Sequence, residues 1–340
     1  MHASRYSANE GPPASNRQGI APPVSDERRD EEFAQPKEPL MNANVHRQSC
    51  LPGQSDSSGA IQPGRVPGVA THVHCFAGKD DRRFPYHADG PYRPQAASTP
   101  ERLLGLMDAA DVDFAILVQP EPYQDDHRYL EHCLTTGSGR LLGTCLFFAG
   151  QSRTAHDLRA LVDRMPIVAL RIHAYNPERL PPFATTEFKN LWRIAADLGL
   201  AIQLHFEPRY APGFEPCLRE FPKVPVLADH LGRPFQGSPQ EYHQVLRWAD
   251  FDNVIMKLSC VPQPTVYPHR DPEPIVRSLA AAFGIERLMH GGGFDENVTV
   301  SGYREAFTRT ADLLPFASQT ERAMVLGGNA ARLFGLTRRT

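Results

Sequence analysis

Apolar residues in this chain come in short runs, and the runs begin late. Eight of them read as strands: Val69 to Phe76, Phe114 to Gln119, Leu141 to Phe148, Ile167 to Ile172, Leu200 to His205, Val224 to His230, Val254 to Ser259 and Arg287 to Gly292. Between them lie stretches whose apolar positions recur at helical spacing. Leu103, Leu104, Met107 and Ala110 follow Thr99-Pro100, a helix start with Thr as N-cap and Pro in the first turn. Leu191, Ile194, Ala195 and Leu198 precede Gly199, placed as a C-cap. Eight strand–helix units in about 270 residues fit a closed parallel (β/α)8 barrel, the TIM-barrel class of α/β fold. A doubly wound open sheet is the runner-up, but no Gly-rich phosphate loop follows the first strand.

The first 66 residues break this pattern. They are rich in Pro, Gly, Ser, Asn and Gln and show no sustained apolar period. Such a segment buries too little surface to offset its ordering entropy, so residues 1–66 are expected to be a disordered or loosely docked extension. Residues 67–338 are expected to form the barrel. The formal net charge of −3 gives no basic surface for nucleic acid or anionic membranes. No run is long enough to span a bilayer, and no apolar leader opens the chain. Six scattered cysteines without a CxxC pair suit a reducing cytoplasm. A homodimer is a reasonable expectation for such a barrel.

Candidate chemistry collects where the strands end, the face on which barrels build active sites. His72 and His74 share one face of the first strand. Gln119 ends the second, Arg171 and His173 the fourth, and His205 and Glu207 the fifth. Asp229, His230 and Arg233 follow the sixth, Lys257 and Ser259 lie on the seventh, and His290 ends the eighth. Each has a plainer reading. His205 suits a satisfied core histidine, and Arg171 and Arg233 suit structural ion pairs. Lys257 suits a structural partnership with Asp229. Recurrence at strand after strand favours a site. The loop from Gly78 to Pro100 is long enough to be a binding loop.

These residues carry a resemblance. Thr71-His72-Val73-His74, Tyr92-Arg93-Pro94, Val118-Gln119-Pro120, Leu170-Arg171-Ile172, Leu204-His205, Asp229-His230-Leu231-Gly232-Arg233-Pro234, Lys257-Leu258-Ser259 and Asn329-Ala330-Ala331-Arg332-Leu333-Phe334 occur in order over the barrel. The region resembles the amidohydrolase-related lactonases, which include 2-pyrone-4,6-dicarboxylate and sugar-acid lactonases. The resemblance implies His72, His74, His205 and His230 as catalytic groups. It implies Gln119, Arg171, Arg233, Tyr92 and Lys257 around the substrate. It also implies one divalent metal, Zn or Mn, on His72, His74 and His205, although some members of the group work without metal.

Two positions depart from the family pattern. Ala70 stands where an aspartate usually precedes the first histidine, and Gly293 stands at the usual catalytic aspartate. Asp295 is the expected substitute, reached over three glycines that permit unusual backbone paths; the alternative is that the base is lost. Hydrolysis of a lactone or related cyclic ester of a carboxylic or sugar acid is the leading expectation. A metal-dependent decarboxylase of the same superfamily and a catalytically impaired binding barrel are its rivals.

Overall fold

The computed structural model describes residues 66–338 except 152 and 267, so the expected disordered extension lies outside the described residues. Eight strands run β1 (Val69–Val73), β2 (Phe114–Val118), β3 (Leu141–Leu146), β4 (Ile167–Ala174), β5 (Ala201–Phe206), β6 (Val226–Ala228), β7 (Val254–Leu258) and β8 (Leu288–His290). Each pairs in parallel with the next, in the order β1 to β8. The ring closes through His72 N–H donating to Gly291 O at 2.7 Å and Thr71 Oγ donating to His290 O at 2.7 Å. This is a (β/α)8 barrel.

Eight helices follow the strands in turn: α1 (Pro100–Ala110), α2 (Arg128–Thr136), α3 (Thr154–Arg164), α4 (Thr186–Asp197), α5 (Ala211–Glu220), α6 (Pro239–Leu246), α7 (Glu273–Phe283) and α8 (Val300–Asp312). The Thr99 hydroxyl caps α1 by accepting from Arg102 N, with Pro100 in the first turn. Several strands differ in length from the sequence reading: β1 stops at Val73, β4 runs on to Ala174, and β8 keeps only Leu288–His290. β3 stops at Leu146, and β6 has only three residues. Phe147 continues the apolar run of β3 into a buried loop, whereas β6 is followed by the polar pair Asp229-His230. Among the described residues no helix is long and apolar enough to cross a membrane.

The barrel interior is stacked in three layers. At the base sit Val69, Phe114, Ile116, Leu142, Ala169, Ala201, Leu227 and Met289, closed below by Ala330 of the C-terminal helix α10 (Asn329–Phe334) once α9 (Gln319–Ala323) has been passed. Alternation by two then puts Thr144, Arg171, Gln203, Asp229 and Lys257 in a buried polar middle layer. A further step of two reaches His173 and His205. β1 would fall out of this alternation, since Val69 is inward. A bulge repairs it: Ala70 pairs with Ala115 but Val73 pairs with Leu117, three steps against two. The extra residue turns His72 and His74 inward. β8 has no such correction. Met289 faces in, so His290 faces out, onto Phe307 at 4.0 Å between ring centres and Thr310 Oγ at 2.9 Å.

Candidate active site at the strand ends

The top layer is an arc of imidazoles. Ring centres are 5.0 Å apart between His74 and His72, 4.7 Å between His72 and His230, 5.0 Å between His230 and His205, and 5.2 Å between His205 and His173. Hydrogen bonding assigns the protons of the first two. His74 Nδ1 lies 2.8 Å from Val118 O and His72 Nδ1 lies 3.2 Å from Asp229 Oδ1. A carbonyl and a carboxylate only accept, so both Nδ1 atoms donate. Both Nε2 atoms therefore carry lone pairs, and they face each other at 3.2 Å. Burial, with Arg171 nearby, lowers His74 to about 3. Burial also holds His72 well below its ordinary value despite Asp229. At neutral pH the facing lone pairs do not share a proton.

His230 owes its place to an unusual turn. His230, Leu231, Gly232 and Arg233 all have positive φ, between 55° and 70°. Three of the four carry a side chain, and such conformations persist only where the surroundings enforce them. Here Ser259 Oγ accepts from His230 N at 3.0 Å and Tyr242 donates to Leu231 O at 2.8 Å. Ser259 Oγ also lies 2.9 Å from His230 Nδ1. The Ser259 hydroxyl has its hydrogen free to donate to Nδ1, and in that tautomer the ring hydrogen of His230 lies on Nε2. Burial lowers His230 to about 4.

The turn also delivers Arg233, whose Nη1 lies 3.3 Å from His205 Nε2 and whose guanidinium sits 5.4 Å from the centre of the Tyr175 ring. Among the described residues no carboxylate stands within ion-pair distance of Arg233; Glu207, paired with Arg209, and Glu121 act on it at longer range. Arg171 differs. It is sealed in the middle layer and donates to Asp229 Oδ2 at 3.1 Å. Asp229 also accepts from Gln203 at 2.9 and 3.0 Å, and Lys257 Nζ stands 3.5 Å away. Burial opposes the charge on Asp229, but His72, Lys257 and Arg171 outweigh it and hold the carboxyl well below the usual range. Lys257 is lowered to about 8 by burial, and Nζ donates to Thr71 O at 2.6 Å. Arg171 and Lys257 thus neutralise Asp229 under the site, and the resemblance had suggested substrate contact for both.

Other expected residues fall elsewhere. The Gln119 amide nitrogen donates to Gln124 O and Asp126 O, which shapes the loop after β2. Tyr92 is exposed, within electrostatic reach of Tyr175. Asp295 is exposed, and its Oδ1 accepts from Asn297 N and Val298 N of its own loop. It caps a turn there and makes no bond to the imidazoles. A side chain at position 293 has no room either, because its Cβ would stand 2.4 Å from Ala306 Cβ of α8.

The expected metal triad divides. Among the described residues, ligand atoms converge within 4.8 Å in two groups, His72 with Asp229 and His230, and Glu121 with His173 and His205. His205 shares no such group with His72 and His74, and His230 lies between it and His72. Its neighbour Glu121 was missed in the sequence. It lies just past Gln119-Pro120 in the loop after β2, and only Tyr175, which donates to it, and His173, 3.5 Å away, reveal its place. A separate cavity of about 260 Å³ is lined by residues of α2 and α3, but its charges pair among themselves (Arg164 with Glu131, Arg153 with Asp157) and it holds none of the expected site residues.

Comparison with known proteins meets this geometry. The sequence profile of the amidohydrolase family matches residues 69–336. The chain belongs to the amidohydrolase family. An L-fucono-1,5-lactonase of Burkholderia ambifaria is 25% identical over 294 residues, 79% of this chain and 96% of that protein. A probable 2-pyrone-4,6-dicarboxylic acid hydrolase of Acinetobacter baumannii, solved with citric acid bound, superposes with a TM-score of 0.68 at 20% identity, over 79% of this chain and 99% of that one. An amidohydrolase of Burkholderia multivorans, solved with zinc bound, superposes with a TM-score of 0.59 at 17% identity, over 80% of this chain and all of that one. The amidohydrolase described here is a lactonase-like hydrolase, and its barrel mouth carries candidate metal-binding residues.

Proposed function

We propose that this amidohydrolase opens the ring of a lactone that bears a carboxylate or hydroxy-acid group. The observation that carries the reading is Arg233: a guanidinium at the barrel mouth with no carboxylate in ion-pair contact, beside a wall of neutral imidazoles. Arginine is suited to grip a substrate carboxylate through two parallel hydrogen bonds. The lactonase relative and the dicarboxylic acid hydrolase neighbour support the same substrate class.

The imidazoles divide the remaining work. The His230 Nε2 hydrogen is a donor for the lactone carbonyl oxygen, where negative charge develops as water adds. The unprotonated Nε2 atoms of His72 and His74 accept hydrogens from the attacking water. Asp229 and Val118 O hold both rings in that tautomer. The ring oxygen leaves as an alcohol, and the product carries one more carboxylate than the substrate.

The facing Nε2 atoms also fit two corners of a divalent metal site. Two ligands on a tetrahedral zinc lie about 3.3 Å apart, and these are separated by 3.2 Å. A metal held there would polarise the carbonyl and lower the pKa of its water. The test is a panel of sugar-acid and pyrone lactones assayed with and without Zn or Mn. Ring opening lost in His74→Ala, with KM raised in Arg233→Ala, is the expected result. No acid release from any lactone would overturn the reading, and carbon dioxide release would replace it with decarboxylation.

A further inference from the structure

β4 is the longest strand of the barrel, and its inward alternation runs on past the last ladder pair. Arg171 and His173 are followed two positions later by Tyr175, which this period places above the imidazole arc. The ring centre of Tyr175 lies 4.8 Å from that of His205 and 5.8 Å from that of His173. Its hydroxyl donates to Glu121 Oε1, in the short turn Glu121–Tyr123 after β2. Burial, with the Glu121 charge adding, pushes the hydroxyl pKa up, so the group remains a donor at neutral pH. Three neighbours thus hold the ring before any substrate arrives.

Arg233 has less to hold it. Its backbone is set by the left-handed turn, at a φ of 55°. Its guanidinium donates to His205 Nε2 at 3.3 Å and lies over the Tyr175 ring, 5.4 Å from the ring centre. An arginine gives up rotamer freedom when it is ordered, and an aromatic ring beneath the cation offsets that cost. A guanidinium presents five N–H groups in a flat fork, and His205 takes one of them. The ring engages the cation without taking the place of a carboxylate. The remaining N–H groups therefore stay available to an anion.

We propose that Tyr175 is a positioning residue for the substrate carboxylate: it acts through Arg233 and biases the site toward lactones that carry an acid group. The inference rests on the reading of Arg233 as the carboxylate grip. Glu121 holds the Tyr175 hydroxyl, the Tyr175 ring holds the guanidinium, and the guanidinium is already ordered when the acid group arrives. Such pre-ordering strengthens binding because the entropy is not lost in the binding step. A lactone without an acid group draws nothing from Arg233, so it gains nothing from Tyr175.

The experiment is a calorimetric titration of the full chain with tricarballylate, a tricarboxylate with no ring to open. Tyr175→Phe keeps the ring and should bind within about twofold of the unaltered chain, whereas Tyr175→Leu should bind about 5–30-fold more weakly, the worth of one partly desolvated cation–π contact. Tyr175→Met, which also lacks a π face, takes its place if Tyr175→Leu does not fold. In an Arg233→Ala background Tyr175→Leu should cost nothing further, since the two residues act as one unit. On carboxylate-bearing lactones the Tyr175→Leu loss should fall on KM with kcat unchanged, and on an uncharged lactone KM should stay where it was. Binding by Tyr175→Leu equal to the unaltered chain, a loss in Tyr175→Phe as large as in Tyr175→Leu, no binding by the unaltered chain, or the same rise in KM on charged and uncharged lactones overturns the proposal. Tricarballylate binding needs no hydrolysis, so a chain that opens no lactone can still bear this inference out. Lactone opening together with binding indifferent to Tyr175 overturns this inference alone.

Discussion

Asp229 Oδ2 and Arg171 Nη2 meet at 3.1 Å in the middle of the barrel, with both side chains sealed from water. The pair lies beneath the imidazole arc, and the same carboxylate holds His72 through its other oxygen. Removing one member of a buried pair leaves the other charge uncompensated, at a cost of about 3–5 kcal/mol. Asp229→Asn strands Arg171 and Lys257 together. Chemical denaturation should show a loss of that size, with the variant unstable before any kinetic effect is measurable. A variant as stable as the parent would show that the middle layer does not depend on this charge.

His74 presents the opposite case. It is half-buried at the rim, and its one structural bond goes to Val118 O. His74→Ala should lower kcat/KM on an opened lactone by about 10²–10⁴, the range for removing a proton-transfer group. Its unfolding midpoint should move little. Equal losses in rate and stability would make His74 a packing residue.

The barrel was legible in the sequence because each buried strand is a short apolar run and each helix shows its own period. Arg171, Asp229 and Lys257 were legible as polar residues on or at the ends of those strands. Depth was not legible. Nothing in the local sequence separates Arg171, which neutralises a buried carboxylate, from Arg233, which stands one layer higher at the mouth. Nor does it reveal the β1 bulge, without which His72 and His74 would fall on the wrong face. Glu121 is hidden for the same reason, since its partners lie 52 and 54 positions away at His173 and Tyr175.

Asp295 illustrates how a loop decides what a motif cannot. Three glycines give the chain freedom to return, yet the carboxylate is taken up by Asn297 N and Val298 N. Asp295→Ala should leave turnover within about twofold and lower stability by about 1 kcal/mol, the worth of a turn hydrogen bond. A large drop in kcat at unchanged stability would return Asp295 to the chemistry.

Restoring the family aspartate by Gly293→Asp should fail on its own. The new Cβ would stand 2.4 Å from Ala306 Cβ, on a helix that cannot shift cheaply. Overpacking of this kind costs about 1–3 kcal/mol. Gly293→Asp combined with Ala306→Gly removes the clash. Ala306→Gly alone should cost about 1 kcal/mol of helix stability, and the double variant should be more stable than the sum of the two single losses predicts. Additive effects in the double-mutant cycle would show that the two positions do not touch.

Stability should fall on the acid side, and His290 isolates one source of the fall. It lies outside the arc, buried against Phe307 and bonded to Thr310. Burial, with Arg309 adding, lowers it to about 3, whereas in the unfolded chain it titrates near 6.5. Below about pH 6.5 the unfolded state therefore binds a proton that the folded state refuses. The contribution is fully present above that pH and is lost as pH falls toward 3. The limiting slope is about 1.4 kcal/mol per pH unit for one such group. His74 and His230, lowered to about 3 and 4, act in the same direction. His290→Gln removes one titration without touching the mouth. Between pH 6 and 4 its unfolding free energy should fall less steeply than the parent's by about that slope. Parallel curves would mean that His290 takes up its proton in the folded barrel.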